Sequence, residues 1–289
     1  YHKLELYNTV QITLRNFTSS ATNIFSQLPS LRFFKNNEFK YTGAVHNQPL
    51  YQIPIYYDTN IILNHYGYNN DDKALMEKKY QRTKTLLLKE LEKDPNNIYY
   101  LYQLTQSYFM NGKDLLAYET IKKTIGKLKS KAEKESYVNL YERYATICIT
   151  MERFAEAEQI SQQGIDINPE YIDLYFLNVL SKIKNGKKEE AIPYVKKYLL
   201  LSRDLLNLNI SKNPSIELYR VSQKDRDMML TEMVNYHIDK KEFEKSFDYL
   251  VEINDPTLKN KLIIIYSFAK KDFIFLYNHY ISLEKKKKK

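Results

Sequence analysis

Apolar and polar positions alternate in two different ways along this chain. In the first seventy residues the apolar positions are short and strand-like. Val10-Gln11-Ile12-Thr13-Leu14 alternates with period two, and residues 31–34, 41–45 and 58–66 are aromatic or β-branched clusters. Lys35-Asn36-Asn37-Glu38 reads as a polar turn, and Pro49 and Pro54 mark an irregular stretch because each fixes φ and removes a backbone donor. From Asp71 the period changes to that of a helix. Asp71 and Asp72 stand where caps belong, and Leu75, Tyr80, Thr83, Leu87 and Leu91 recur at three- to four-residue steps until Asp94-Pro95-Asn96-Asn97 stops them. Helical segments joined by short turns then run to the end of the chain.

These later segments repeat. Leu104, Tyr108, Gly112 and Ala117 have the spacing of a helical hairpin with a turn glycine and a small residue at the helix crossing. Phe154, Ala157 and Pro169 offer a second unit and Gly186 and Ala191 a third. Ala157 and Ala191 are 34 residues apart, the length of a tetratricopeptide repeat, while the 40 residues from Ala117 to Ala157 predict a longer turn around residues 126–134. A degenerate fourth unit is read through Met228, Phe243, Ser246 and Leu250. Alanine suits such sites because larger side chains would hold the helices apart.

Composition narrows the classes. The chain has 289 residues, enough for one large domain or two ordinary ones, and a normal 43 % apolar content with 6 Gly and 8 Pro excludes collagen-like or broadly disordered material. A single cysteine, Cys148, excludes an internal disulfide scaffold and a thiolate zinc site, and favours a reducing cytoplasm. No apolar run is long enough to span a membrane. The first residue is Tyr1, in mid-pattern, so the chain reads as a piece of a longer protein. Of its net charge of +9, five units come from the lysine run 285–289, read as a solvated tail rather than a nucleic-acid site.

Candidate chemistry is sparse. There is no Walker loop, dinucleotide glycine fingerprint or His-Glu-x-x-His helix. Cys148 sits in an apolar helix face, as a core residue does. Asp225-Arg226-Asp227 has the spacing of a metal-binding Asp-x-Asp, but it precedes a helical run, where acidic residues complement the helix dipole. The tyrosines of the repeats fit a core whose hydroxyls reach the rim. Tyr99, Tyr102, Gln106 and Tyr137 are candidate contacts for a partner on the concave side of the array.

The densest motif series is Leu31-Arg32-Phe33-Phe34-Lys35-Asn36, Tyr41-Thr42-Gly43-Ala44-Val45-His46-Asn47-Gln48-Pro49 and Asn64-His65-Tyr66-Gly67-Tyr68, followed by a Lys-rich helix and the repeats. In this order it resembles bacterial family 2 glycosyltransferases that join a GT-A catalytic domain to tetratricopeptide repeats, including those that modify bacteriocin peptides on sulfur. The likeness covers the C-terminal half of that architecture. It implies an α+β chain: the end of a GT-A domain over 1–70, a connecting helix over 71–96, all-α tetratricopeptide-like repeats over 97–284 and a Lys tail over 285–289. It further implies a nucleotide-sugar donor, a peptide, protein or glycan acceptor, and manganese or magnesium in the intact enzyme, with His46 as a metal ligand. Arg32, Lys35, Asn47 and Gln48 fall in the donor or acceptor loop. Asn47 stands where many relatives have Glu and cannot accept a proton, which leaves the catalytic base unassigned. His65, Tyr66 and Gly67 form the turn leading to the repeats. The donor-binding half and its Asp-x-Asp are not in these residues, so the piece alone is expected to have no turnover and to bind no metal tightly. The alternative is a non-catalytic tetratricopeptide-repeat interaction module, with self-association possible in either case.

Overall fold

The computed structural model describes residues 2–17, 25–35, 40–42, 48–50, 53–65, 73–213 and 215–287, and the structural statements that follow concern these. The N-terminal part forms a three-stranded sheet from β1 (Thr9–Phe17), β2 (Phe25–Phe34) and β5 (Ile55–His65), with β3 (Lys40–Thr42) and β4 (Gln48–Leu50) as a separate short ladder. The order is β2-β1-β5, with β1 antiparallel to β2 and parallel to β5. The alternating stretch read from the sequence is the central strand, buried on both faces: Val10, Ile12 and Leu14 on one, Thr9, Gln11 and Thr13 on the other.

The helical part begins with α1 (Lys73–Lys93), whose Leu87 is buried against Leu104. It continues as α2 (Ile98–Met110), α3 (Asp114–Ile125), α4 (Lys131–Ser136), α5 (Asn139–Thr150), α6 (Phe154–Ile167), α7 (Ile172–Lys184) and α8 (Lys188–Arg203). After a helix-poor segment, residues 204–222, come α9 (Gln223–Asp239), α10 (Phe243–Glu252), α11 (Pro256–Lys270) and α12 (Phe273–Lys287). The extra residues between Ala117 and Ala157 build α4, which starts with a capping box between Ser130 and Glu133.

One turn is used again and again. The pairs α2/α3, α5/α6, α7/α8, α9/α10 and α11/α12 each turn on one left-handed residue: Gly112, Glu152, Gly186, Lys241 and Lys271, with φ between 57° and 77°. In each, the next amide reaches back to a carbonyl five residues earlier, as in Lys113 N to Tyr108 O at 2.9 Å and Asp272 N to Ser267 O at 2.9 Å. Glycine takes this φ without cost at 112 and 186, whereas Glu and Lys carry a Cβ into it. Ala117, Ala157 and Ala191 are all buried at helix crossings, and Gly164 on α6 lies against Tyr141 and Leu174.

Asp225 does cap α9: Ser222 and Asp225 form a capping box. Asp227 accepts the backbone N–H groups of Asn254 (3.2 Å) and Asp255 (2.8 Å), so it ties α9 to the start of α11. Among the described residues no helix is long and apolar enough to cross a membrane.

Candidate protein-interaction site

Helices α2, α5 and α7 are the first members of three successive hairpins; α5 packs on α7 and meets α2 where Arg143 covers Phe109, and side chains of α5 and α7 meet the segment 204–222. This segment has no apolar period and opens with two short 3-10 turns, Leu205–Asn207 and Asn209–Lys212. Residues 215–222 then cross the array, held by main-chain hydrogen bonds, by the side chains of Glu217, Tyr219 and Arg220 and by the burial of Ile216 and Leu218. Leu218 and Gln27 exchange N–H···O bonds of 2.5 Å, a single antiparallel bridge to β2. The Asp173 carboxylate accepts the amides of Tyr219 (2.6 Å) and Arg220 (3.0 Å). The Tyr198 hydroxyl donates to Arg220 O at 2.7 Å, and the Arg220 guanidinium covers the Phe176 ring at 5.3 Å. Upstream, the Glu170 carboxylate accepts Asn209 N at 2.7 Å.

The same strap fastens the sheet. Gln11 Nε2 donates to Lys212 O at 2.7 Å, Asn16 Nδ2 donates to Glu217 Oε1 at 3.1 Å, and the Ser26 hydroxyl donates to the same carboxylate oxygen. Glu217 also accepts from Tyr219 OH at 3.0 Å. Sheet and repeats thus share one extended segment.

Beneath the strap lies a buried polar cluster. The Arg143 guanidinium stacks over the rings of Tyr219 (4.7 Å) and Phe109 (5.3 Å) and pairs with Glu142 at 3.7 Å. Gln106 Nε2 donates to Tyr102 OH at 3.0 Å. Burial pushes the Tyr102 hydroxyl up to about 12. Burial, with the Glu142 charge added, raises the Asp173 carboxyl to about 8, against the opposing pull of its two backbone donors. Tyr171 and Tyr219 are raised well above the ordinary phenol range, again by burial first. Burial opposes the charge of Arg143, but Glu142 and the surrounding tyrosines more than compensate and keep it cationic. Gln106 Oε1, Glu142 Oε2, Arg143 Nε and Tyr171 OH have no hydrogen-bond partner, so the cluster holds donor and acceptor capacity in reserve.

Of the residues singled out in the sequence, Tyr102 and Gln106 come together at the edge of this cluster. Tyr99 packs edge-on against Tyr100 at 5.5 Å, and Tyr137 closes α4 and packs on the core. Asp173, Glu142, Arg143, Tyr198 and the strap itself escaped the sequence reading. The available signal was a charged residue within an apolar helix, as in Ile172-Asp173-Leu174 and Tyr141-Glu142-Arg143-Tyr144.

On the sheet side, Arg32 and His65 share a pocket of about 380 Å³ with Leu14, Asn16, Leu28, Leu63, Asn64 and Glu217. His65 Nδ1 lies 3.0 Å from Asn16 Oδ1. The Lys35 amide ends β2 by donating to Asn8 O at 3.1 Å. Gln48 pairs with Thr42 in the short ladder. His46, Asn47, Tyr66 and Gly67 lie outside the described residues, and so does the metal expectation that rested on His46. Among the described residues no group of three or more His, Cys, Asp or Glu side chains is placed to hold a metal ion. Cys148 is buried, as expected, and burial raises its thiol to about 12.

No protein-family model and no curated protein matches this sequence. Among solved structures, Pseudomonas aeruginosa PilF is similar over 74 % of this chain and 86 % of its own, with 17 % identity and a TM-score of 0.51. The helical array is tetratricopeptide-like. Two further similar structures are MamA (19 % identity, 62 % of this chain and 88 % of that one, TM-score 0.44) and YrrB, described as a TPR protein with an unusual peptide-binding site (13 % identity, 70 % and 84 %, TM-score 0.44). At these identities the likeness is one of fold alone.

Proposed function

We propose that this chain is a tetratricopeptide-type protein-interaction module that receives an extended polypeptide along the inner face of its first repeats. The observation that carries this reading is the strap: the inner face already grips an extended segment by its main chain, through Asp173, Tyr198 and a bridge to β2. The strap lies over α5 and α7, while Tyr99 on α2 and Tyr137 at the end of α4 are half-buried and offer aromatic surface; Tyr102 and Gln106, on the same side of α2 as Tyr99, are half-buried with their polar atoms turned into the cluster beneath the strap. A partner peptide runs along α2, next to the strap. Selecting binders from a displayed peptide library against the whole chain tests this. Tyr99→Ala with Gln106→Ala should weaken the selected peptides about tenfold while the helical circular dichroism is unchanged. Peptides that bind the variant as well as the parent would refute the placement.

Sugar transfer by a longer parent protein is the second reading. It is supported by the motif series and by the meeting of Arg32 and His65 in one pocket on a mixed sheet. In that protein the repeats would hold a peptide, protein or glycan acceptor, and His46 would serve a manganese or magnesium ion beside the nucleotide-sugar donor. Metal-dependent nucleotide release by the parent, lost on His46→Ala, is the expected result; release unaffected by the substitution would remove His46 from the metal site.

A further inference from the structure

The last hairpin presents an apolar face that its own packing leaves open. The inner side of α12 is fixed: Phe275 packs against Phe247 (5.8 Å) and Tyr266 (6.1 Å), and His279 Nε2 lies 3.0 Å from Asn260 Oδ1 of α11. The outer side is therefore a defined surface rather than a loose end. Phe273, Ile274, Tyr277 and Tyr280 form a stripe at helical spacing along it, with Ile274 77 % exposed. Phe268 of α11 meets Phe273 edge-on at 5.5 Å, and Ile264 lies one turn before it, so the patch continues onto the neighbouring helix.

Charge accumulates at the same place. Residues 256–289 contain nine lysines against Asp272 and Glu284, a net +7, whereas the preceding 255 residues together carry +2. Lys270 and Lys271 stand at one end of the stripe and residues 285–289 at the other. Asp272 is engaged locally, accepting Phe275 N at 3.0 Å. An apolar and aromatic helix face flanked by lysines combines the two attractions that hold a protein on an anionic bilayer, shallow insertion of side chains and Coulomb attraction to headgroups. Tyrosine and phenylalanine suit the depth of the interface. The aliphatic members, Ile264 and Ile274, decide between lipid and nucleic acid, since they gain from leaving water for acyl chains and offer a phosphate backbone nothing.

We propose that the outer face of the α11/α12 hairpin is a docking surface for an anionic lipid bilayer, which it enters by Ile264, Phe268, Phe273, Ile274, Tyr277 and Tyr280 while the lysines neutralise headgroups. The site lies at the far end of the array from α2, so it does not depend on the peptide-binding reading.

The test is flotation of the whole chain with vesicles of phosphatidylcholine alone or with about 30 % phosphatidylserine. Binding is expected only with phosphatidylserine and should fall when salt rises from about 0.1 M to about 0.5 M, as screening shortens the reach of the lysines. Phe273→Ser with Ile274→Ser alters exposed positions only, and should weaken binding at least about tenfold at unchanged charge. No phosphatidylserine-dependent binding would overturn the proposal. So would binding that ignores the double substitution, which would reduce the effect to the tail. A single-stranded RNA oligonucleotide that outcompetes vesicles would assign the surface to nucleic acid. A dimer in sedimentation that the double substitution dissociates, without vesicle binding, would assign it to a second copy.

Discussion

Replacing Gly164 by alanine should destabilise the array, against the direction that helix propensity alone would give. In the interior of a helix this change ordinarily gains about 1 kcal/mol. Here a Cβ at position 164 would sit 2.6 Å and 3.0 Å from the two Leu174 methyl carbons and 2.9 Å from Tyr141 Cβ. Carbon atoms prefer about 3.5–4.0 Å, so the intrusion is roughly 1 Å on two sides at once. Leu174 is fully buried and Tyr141 nearly so, which leaves neither room to swing away; α6 must lift from both α5 and α7. Overpacking of this kind costs about 1–3 kcal/mol, and a clash on two buried sides belongs in the upper half of that range, so the net loss is about 1–2 kcal/mol. With a urea m-value near 3 kcal/mol/M the unfolding midpoint falls by about 0.5 M. Gly126→Ala is the control, because its added Cβ meets only carbonyl oxygens at 3.5 Å and 3.6 Å, at an ordinary helical φ of −62°. If Gly164→Ala proved as stable as Gly126→Ala, the close helix approach would be refuted.

Other outcomes follow from the polar network. Asp173 is raised from 3.8 to about 8, so the folded state holds its proton more tightly than the unfolded chain; its contribution is full below about pH 4 and is lost as pH rises to about 8. Urea midpoints measured across that range should fall with pH in the parent and fall less in Asp173→Asn. Glu158 has the opposite sign: Lys182, Lys187 and Asn185 outweigh burial and lower it to about 2, so its stabilisation is present at neutral pH and disappears as pH drops from about 4.5 to about 2. Glu158→Gln should accordingly matter at pH 7 and not at pH 2. Tyr198→Phe removes one bond to the strap, worth about 1 kcal/mol, and should speed amide hydrogen exchange in residues 217–221 more than in α7. Cys148, buried with its thiol raised to about 12, should resist thiol reagents at pH 8 until urea unfolds the array.

Much of the architecture was legible in particular residues. Alternation around Val10-Gln11-Ile12 marks β1 because one strand period alone fits it, and Ala117, Ala157 and Ala191 mark crossings because only small side chains fit there. The α11/α12 hairpin fell within the repeats read over 97–284, but no unit of its own was marked there, since it lacks the small-residue signature. The strap was invisible for a different reason. Much of its role is played by main-chain amides and carbonyls, which every sequence possesses, and the partners of its side chains, such as Asn16 for Glu217, lie far away along the chain. Asp173 shows the same limit: at the second position of α7 it reads as an acid suited to the helix dipole, yet its carboxylate serves the amides of residues 219 and 220.

The strap also dictates an order of assembly. Asn16 and Glu217, which fasten sheet to array, are 201 positions apart, whereas each helical hairpin closes on contacts a few turns away. Contacts between near neighbours form early and those across long loops form late. During synthesis at about 5–20 residues per second, β1 and β2 wait roughly 10–40 s before residue 217 exists to receive them. Over that interval the hairpins from α2 to α8 have time to stack, so the sheet is fastened to an array whose earlier hairpins are already in place.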